Sequence, residues 1–531
     1  MVPARPRIAA WVLAGLLLTA CTSEPVPTPT TPAPLPADTE RDIRAEPRDR
    51  LRDGGLLRFP IQALPTQWNP RHPDADADTH RVLAALTPAH FTLDAAGRAT
   101  PNPDFITDVD VQHGDATVVT LTLHERAAWG DATPLTAADW VATWQAASGR
   151  VPGVAHADAD GWDRVADVRA GATPGTVVVT YAGIDPDWAE PLVAGPLRAT
   201  TQADAASFSW ASYDDARHAA PFMVTHVDAV QGLVTLERNP LWWGDRPKLE
   251  TITFRTVPDE AVAAAFQHNE LDVWETGTSA DRLEQSRAAA DTSIRSAPGT
   301  SGRALVLSGE GTLADPALRQ ALLLAIDPVE VGVAGLPAGT AEPRAWANTL
   351  LLPTQPGYTD QGRATGMTTD PTRAADLLTE AGWVLDDGVR TRDGQPLTVT
   401  FHVDPADPRT GTEFDALADQ VAAVGITLEP ATEGADLTAV STVVDAFPLA
   451  HLPRAATDAP GAAELVARVR TETDAVRRAD QAAQLARLLW QEVQVIPLYQ
   501  EPHFAAVRSD LANLGSPGFG TTSWEDVGWT S

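Results

Sequence analysis

The chain contains one cysteine, Cys21, and its surroundings predict lipid attachment. Two arginines precede an apolar run at residues 8–18, which is too short to cross about 30 Å of hydrocarbon but fits a secretory signal sequence. The residues LTAC that end at Cys21 resemble a bacterial lipobox, in which the thiol takes a diacylglycerol and becomes the new N-terminus. The alternative is an ordinary signal peptide followed by a chance cysteine. We predict that residues 1–21 are a lipoprotein signal peptide and that the protein is anchored on the extracytoplasmic face of the cell membrane.

Catalytic and metal-binding patterns are missing from the sequence. It has no HExxH zinc motif, no P-loop and no GxSxG nucleophile motif. The stretch GEGTLA imitates a dinucleotide fingerprint, but the next helix is predicted to begin after Asp315, so its amides lie too far along the chain to hold a pyrophosphate. The 12 histidines are scattered without ligand spacing. We therefore predict no enzyme activity, no cofactor and no metal site.

The composition is that of a globular protein that follows an extended, proline-rich tether. The chain has 531 residues, of which 44% are hydrophobic, enough for two or three packed units. The formal net charge of −32 argues against a nucleic acid partner, because phosphates would be repelled. Residues 22–53 are rich in proline and threonine near their start and are predicted to form an extended tether.

The stretch WGDATPLTAADWVATWQA carries the clearest local signal. Thr136 followed by Asp139 forms a capping box that predicts a helix beginning at Ala137. Trp140 and Trp144 then lie on one side of that helix, which is typical of a core-facing stripe. These tryptophans are therefore interpreted as core residues and not as ligand contacts.

The rest of the chain alternates between strand and helix signals. A strand is predicted at 56–61 and another at 251–255, followed by a helix capped by Asp259. Pro316 is predicted to be the first residue of a helix whose N-cap is Asp315, and Gly382 to close a later helix. The sequence therefore predicts a mixed α/β fold.

The order of these segments resembles the family 5 extracellular solute-binding proteins, the peptide and nickel receptors of ABC importers. WGDATPLTAADW is similar to the family pattern F-x-D-G-x-P followed by L-T-A-x-D-V, with Ala132 in place of the usual glycine. Further similar segments follow in the family's order between about residues 54 and 505: LERNPLWWGDRPKLETITF, NELDV, DPALRQALLLAID, RAADLLTEAGW and EVQVIPLYQE.

The resemblance implies a two-lobed, periplasmic-binding-protein-like α/β fold of class II, of the large peptide-receptor type, with a hinge and an interlobe cleft. It assigns 54–300 to lobe I, 301–495 to lobe II and 496–531 to a return into lobe I. It further implies a monomer that binds an oligopeptide or other small solute and docks on ABC permease subunits.

Ligand in this fold lies between the lobes, so loops and strand ends that face the hinge are candidate contacts. Gln67, Trp68 and Asn69 follow the first strand and are candidates for a pocket wall, with simple loop packing as the alternative. Trp274 and Thr276 follow a lobe I strand at the crossover. Trp274 is expected either to stack on ligand or to fill the seam between the lobes.

Asp445 is the candidate anchor for the ammonium group of a peptide. The resemblance carries this role, because peptide receptors place an aspartate in a D-x(8)-D-Y-x-D-P segment, and Asp436 and Asp445 have that spacing. Phe447 and Pro448 depart from the pattern, and the stretch that follows is shorter than usual, so a surface-loop acid is the alternative. The shortening also leaves open an envelope lipoprotein of the same fold, of the LpqW type, that binds a glycolipid or a protein partner in cell-envelope assembly.

Overall fold

The computed structural model describes residues 41–159, 161–340, 343–452 and 459–530. The predicted signal peptide, the lipidation of Cys21 and most of the 22–53 tether lie outside the described residues. Within the described ranges, no helix combines the length and the hydropathy that crossing a membrane requires.

The strands of the described residues are short except for two long ones near the middle and the end of the chain. In chain order they are β1 Leu56–Ile61, β2 Phe91–Leu93, β3 Ala99–Pro101, β4 Ile106–His113, β5 Thr117–Leu123, β6 Val165–Ala170, β7 Thr176–Tyr181, β8 Phe222–Asp228, β9 Leu233–Arg238, β10 Thr251–Thr256, β11 Val273–Glu275, β12 Thr292–Leu307, β13 Arg344–Ala345, β14 Val384–Asp386, β15 Val389–Arg392, β16 Gln395–Pro396, β17 Thr398–His402, β18 Thr427–Ala431, β19 Leu437–Val443, β20 Val495–Arg508, β21 Leu511–Ala512 and β22 Gly528–Trp529.

The helices alternate with these strands, as the sequence predicted. They are α1 Ala77–Leu83, α2 Ala137–Ala147, α3 Ala205–Phe208, α4 Asp259–Gln267, α5 Ala280–Arg287, α6 Pro316–Ala325, α7 Pro328–Gly335, α8 Gln361–Thr365, α9 Pro371–Glu380, α10 Arg409–Ala422, α11 Ala462–Val469 and α12 Ala475–Glu492.

Two long antiparallel strands, β12 and β20, connect the two lobes. The first half of β12 pairs with the second half of β20 beside β11, and the second half of β12 pairs with the first half of β20 beside β19. The pairing is interrupted between Pro298 and Gly302. On one side of this break lie the first-lobe sheets β1-β10-β9-β8 and β4-β5-β7-β6, and on the other lie β19, β17 and β18. The break is therefore the hinge between the lobes.

Each lobe is built on its own apolar cores. One first-lobe core forms between the β1 sheet and the C-terminal segment, and another between β5, β7 and α2. The second-lobe core packs α6, α9 and α10 against β17 and the start of β20. Residues of β1 alternate between buried and partly exposed positions, as expected for a sheet with one covered face.

Most local predictions are confirmed by the structure. The capping box of Thr136 and Asp139 is present, and α2 begins at Ala137. Trp140 and Trp144 are buried in the first-lobe core, as predicted.

The later helix boundaries are confirmed with one exception. Helix α6 begins at Pro316 with Asp315 as N-cap, and Gly382 follows α9 in the left-handed region at φ 85°. The prediction for Asp259 was wrong. The N-cap position of α4 is Pro258, and Asp259 is the first helical residue, where a carboxylate favours the helix N-terminus without capping it.

Candidate functional site

Three adjoining cavities form a groove from the hinge to the region between the lobes. The hinge cavity, of about 590 Å³, lies beside Glu275, Thr300 and His503. The first-lobe cavity, of about 230 Å³, shares Thr87 and Pro88 with it. The interlobe cavity, of about 170 Å³, shares three wall residues with the first-lobe cavity: Arg71, Asp158 and Ala194.

The interlobe cavity brings Asp445 opposite first-lobe residues. Its second-lobe wall consists of Asp445, Ala446 and Phe447, which follow strand β19, and its first-lobe wall includes Arg71 and Glu190. The side chain of Asp445 is 48% exposed, and its Oδ2 lies 3.7 Å from Nε2 of His451. The backbone carbonyl of Asp445 accepts a 2.6 Å hydrogen bond from Gln355, which fixes this turn. The carboxylate is therefore positioned at the cleft with room to bind a cation.

Asp436, at the other end of the predicted spacing, has a structural role. Its Oδ2 accepts hydrogen bonds from the backbone N and the Oγ1 of Thr400, at 2.9 and 2.8 Å. These bonds tie the segment before β19 to β17. The two aspartates of the motif therefore differ, since only Asp445 lines the cleft.

Gln67, Trp68 and Asn69 form an internally bonded loop. Gln67 Oε1 accepts from the backbone N of Asn69 and of Trp210, at 3.0 and 2.9 Å. Asn69 Nδ2 donates to the carbonyl of Phe208 at 2.7 Å. Trp68 is buried against Tyr213 in the first-lobe core. None of the three lines the cavities above, and their contact with ligand stays a prediction.

Trp274 and Thr276 also point away from the cavities. Trp274 packs against Phe266 in a small buried cluster, and Thr276 lies 3.5 Å from the carbonyl of Phe504. Glu275, between them, lines the hinge cavity. Alternation along an extended strand explains this difference, because neighbouring side chains point to opposite faces. A ligand role for Trp274 and Thr276 likewise stays a prediction.

Glu190 and His451 are site residues that the sequence analysis missed. The Glu190 side chain is only 7% exposed, and its Oε1 contacts His451 Nε2 across the lobes. Its Oε2 accepts a 2.6 Å hydrogen bond from Arg164. Burial raises the pKa of Glu190 to about 7, against the lowering effect of Arg164. The residues lie far apart in the chain, so no spacing signal could have identified them.

Glu190, Asp445 and His451 are the residues best placed to hold a metal ion. One ligand atom from each lies within 4.8 Å of the others. One imidazole nitrogen with two carboxylate oxygens suits zinc and similar divalent ions. The direct contact between Glu190 Oε1 and His451 Nε2 accounts for the same arrangement without a metal.

Comparison with known proteins gives matches over nearly the whole chain. Residues 100–451 match the family model described as bacterial extracellular solute-binding proteins, family 5 middle. The chain is 30% identical to the oligopeptide-binding protein OppA of Mycobacterium tuberculosis. The alignment is 560 positions long and covers 99% of this chain and 93% of OppA. It is 25% identical to the probable monoacyl phosphatidylinositol tetramannoside-binding protein LpqW of the same species, over 78% of this chain and 68% of LpqW.

A solved structure confirms the predicted fold class. The periplasmic EDTA-binding protein EppA superposes with a TM-score of 0.77 at 22% identity, over 92% of this chain and 98% of that one. At this identity the likeness concerns the fold alone. It agrees with the two lobes and the hinge seen here.

Proposed function

This chain belongs to the family 5 bacterial extracellular solute-binding proteins, and from that premise we propose that it captures an oligopeptide or similar small solute between its lobes and delivers it to the permease subunits of an ABC importer. Members of this family bind solutes and are not enzymes. OppA, to which the chain is similar over nearly its full length, is named for oligopeptides.

The observation that carries the proposal is the position of Asp445 on the wall of the interlobe cavity. Its carboxylate is half-exposed and faces a cleft closed by residues of both lobes. A partly enclosed site has a lower effective dielectric than water, which strengthens the attraction between a carboxylate and an ammonium group. We therefore assign the α-ammonium of a bound peptide to Asp445. The predicted lobe bounds, 54–300 and 496–531 for lobe I and 301–495 for lobe II, remain part of this proposal.

The test compares Asp445 with Asp436. The probes are trialanine and N-acetyl-trialanine, and the measurement is isothermal titration calorimetry. D445N is expected to weaken trialanine binding by about tenfold or more and to leave binding of the acetylated peptide unchanged. D436N should lower the unfolding temperature and keep the preference for the free amine. Equal trialanine affinity in D445N and the unaltered protein would contradict the assignment.

A second candidate function follows from the similarity to LpqW. Under it, the protein is an envelope lipoprotein outside transport that binds a glycolipid or a protein partner. Native mass spectrometry of protein purified from its own host separates the two candidates, because co-purified peptides support import and co-purified glycolipid supports the alternative.

We also propose that Cys21 carries the lipid that holds this extracytoplasmic protein at the membrane. The proposal is supported by the LTAC sequence and the apolar run before it. C21S is expected to move the protein into the medium, whereas the neighbouring S23A should stay with the membrane fraction. Membrane retention of C21S would count against the anchor.

A further inference from the structure

Three basic side chains on the wall of the first-lobe cavity each have one buried nitrogen atom without a hydrogen-bond partner. Arg71 Nη1, His90 Nδ1 and His218 Nε2 are buried and make no hydrogen bond within the described part of the chain. The three residues are 6%, 4% and 4% exposed, and all of them line this cavity. Buried polar groups are almost always paired, so three unpaired nitrogens around one cavity point to polar partners supplied by an occupant.

Arg71 brings a permanent positive charge to this wall. Its backbone N donates to Asn69 Oδ1 at 3.0 Å and its Nη2 donates to the carbonyl of Gly195, so the side chain is held in place. No carboxylate among the described residues lies within 4 Å of the guanidinium. Burial accordingly lowers the pKa of Arg71, against a weaker raising effect of Asp158. A buried charge without a counter-ion is costly, and an anion in the cavity would offset that cost.

His90 and His218 add hydrogen-bonding capacity without adding charge. His90 stacks on Phe105 with ring centroids 4.0 Å apart, and His218 stacks on Tyr213 at 5.0 Å, so both imidazoles are fixed in orientation. Burial lowers the pKa of His90 to about 3 and that of His218 to about 4. Both rings are therefore neutral near pH 7, where each has one N–H. His218 donates this N–H to the backbone of Leu86, which leaves its Nε2 as an acceptor, whereas His90 can direct its N–H into the cavity from Nδ1.

The charges around the cavity are unusual for this chain. His80 also lines it, as does Arg217, which pairs with Asp214 at 3.3 Å, while Asp158, exposed to solvent, is its one acidic lining residue among those described. The chain as a whole carries a formal charge of −32. A positive, buried recess in an acidic protein suits a small anionic group better than a neutral or cationic one.

We propose that the first-lobe cavity is an anion subsite that binds a carboxylate of the solute, with Arg71 as the charged partner and His90 as a hydrogen-bond donor. The inference rests on the proposed function, since Arg71 also lines the interlobe cavity that contains Asp445. A zwitterionic solute would place its ammonium at Asp445 and its carboxylate at Arg71. The subsite therefore selects solutes that end in a free acid.

Two pairs of probes test the subsite separately from peptide binding. Propionate and propionamide have nearly the same shape and differ in charge, as do trialanine and trialanine amide. Thermal shift is measured with the first pair and calorimetry with the second, on the full chain, R71M, R71K and the surface control R255Q. Arg255 is 53% exposed and pairs with Glu270, away from the cavity. Near-ultraviolet circular dichroism checks that each variant is folded.

The unaltered protein and R255Q should be stabilised by propionate and not by propionamide, and should prefer trialanine over its amide by about tenfold or more. R71M should lose both preferences, and R71K, which keeps the charge, should retain part of each.

Propionate stabilisation without trialanine binding supports the subsite and counts against an oligopeptide ligand. Trialanine binding with no preference for the acid overturns the subsite and leaves the proposed function standing. Equal effects of propionate and propionamide would mean that the cavity does not recognise the charge of the acid, which overturns the inference, as would an undiminished acid preference in a folded R71M.

Discussion

Arg478 of the second lobe donates hydrogen bonds from both Nη atoms to the carboxylate of Asp187 in the first lobe. Nη1 lies 2.9 Å from Oδ1, and Nη2 contacts Oδ2. The side chains are 14% and 10% exposed, so the pair is mostly shielded from water. A bidentate pair fixes both the distance and the orientation of its partners. The contact therefore ties α12 to the segment just before Glu190, which lines the interlobe cavity.

Loss of this pair should loosen the contact between the lobes. R478M leaves the Asp187 carboxylate buried without its partner, so we expect a larger radius of gyration in small-angle X-ray scattering and about tenfold weaker binding of trialanine. The matched control is R477M, on the same helix. Arg477 is 64% exposed, and its carboxylate partners among the described residues are the nearby Glu472 and Asp474. If R478M and R477M behave alike, the pair does not hold the lobes together.

Local signals in the sequence predicted elements well, because the residues that decide them are close in the chain. The Thr136 and Asp139 box lies within one helical turn, and Pro316 follows its cap directly. The fold class followed from the order of several family-like segments. Asp259 shows the limit, since the sequence cannot fix a helix start within one residue when a proline precedes it.

The site was harder to predict because its residues meet only through tertiary structure. Glu190 and His451 come from different lobes, and nothing near either of them signals the contact. Trp68 and Trp274 are predicted ligand contacts because the sequence places each of them after a strand of the first lobe. Residue type does not tell whether an indole fills a core or faces a ligand, and both rings are buried. Arg71 was missed because a buried arginine resembles a surface one in sequence.

Glu190 should make stability depend on pH. Its pKa is about 7 in the folded protein, raised by burial from an ordinary 4.5, while Arg164 and His451 lower it and Asp187 raises it. Asp445 also faces it from the second lobe. Below pH 4.5 the carboxyl is protonated in both states. Between pH 4.5 and 7 the folded state keeps a proton that the unfolded state releases, so the favourable contribution is lost as pH rises through 7.

The measurement is urea unfolding at pH 5 and pH 8. E190Q stays neutral at both values, so its loss of unfolding free energy between them should be smaller by about 2 kcal/mol than that of the unaltered protein. E464Q is the control, because Glu464 is 76% exposed. An E190Q protein with the same pH dependence as the unaltered chain would contradict the prediction.

Gly302 should not tolerate a side chain. It lies at the hinge end of the break in β12 pairing, and a Cβ there would lie 2.4 Å from Trp346 Cζ3. The Trp346 ring is buried, and its Nε1 donates to the carbonyl of Leu351 at 2.9 Å, so it cannot move aside freely. G302A is expected to lower the unfolding free energy by about 1–3 kcal/mol in urea titrations. G114A is the control, since a Cβ at Gly114 meets nothing within 4 Å. Equal stability of the two variants would show that the hinge absorbs the methyl group.

The buried pair of Arg303 and Glu413 should be strongly coupled. Arg303 on β12 places Nε 2.9 Å from Oε1 and Nη2 2.5 Å from Oε2 of Glu413 on α10, and the two side chains are 2% and 0% exposed. Tyr499 on β20 donates to Oε1 at 3.0 Å, so the pair also joins the two hinge strands. E413Q removes one of two carboxylates beside this buried guanidinium, the other being the more exposed Asp407 with Oδ2 3.2 Å from Nη2, and is expected to cost about 3 kcal/mol of unfolding free energy.

A double variant separates this coupling from simple loss of packing. R303M/E413L replaces both charges with apolar groups, so it should be less destabilised than E413Q although it changes two residues. R468M is the surface control, because Arg468 is 51% exposed and lies 3.8 Å from Glu464. The measurement is urea unfolding followed by tryptophan fluorescence. If the double variant loses as much stability as the sum of its single variants R303M and E413L, the two charges are not coupled.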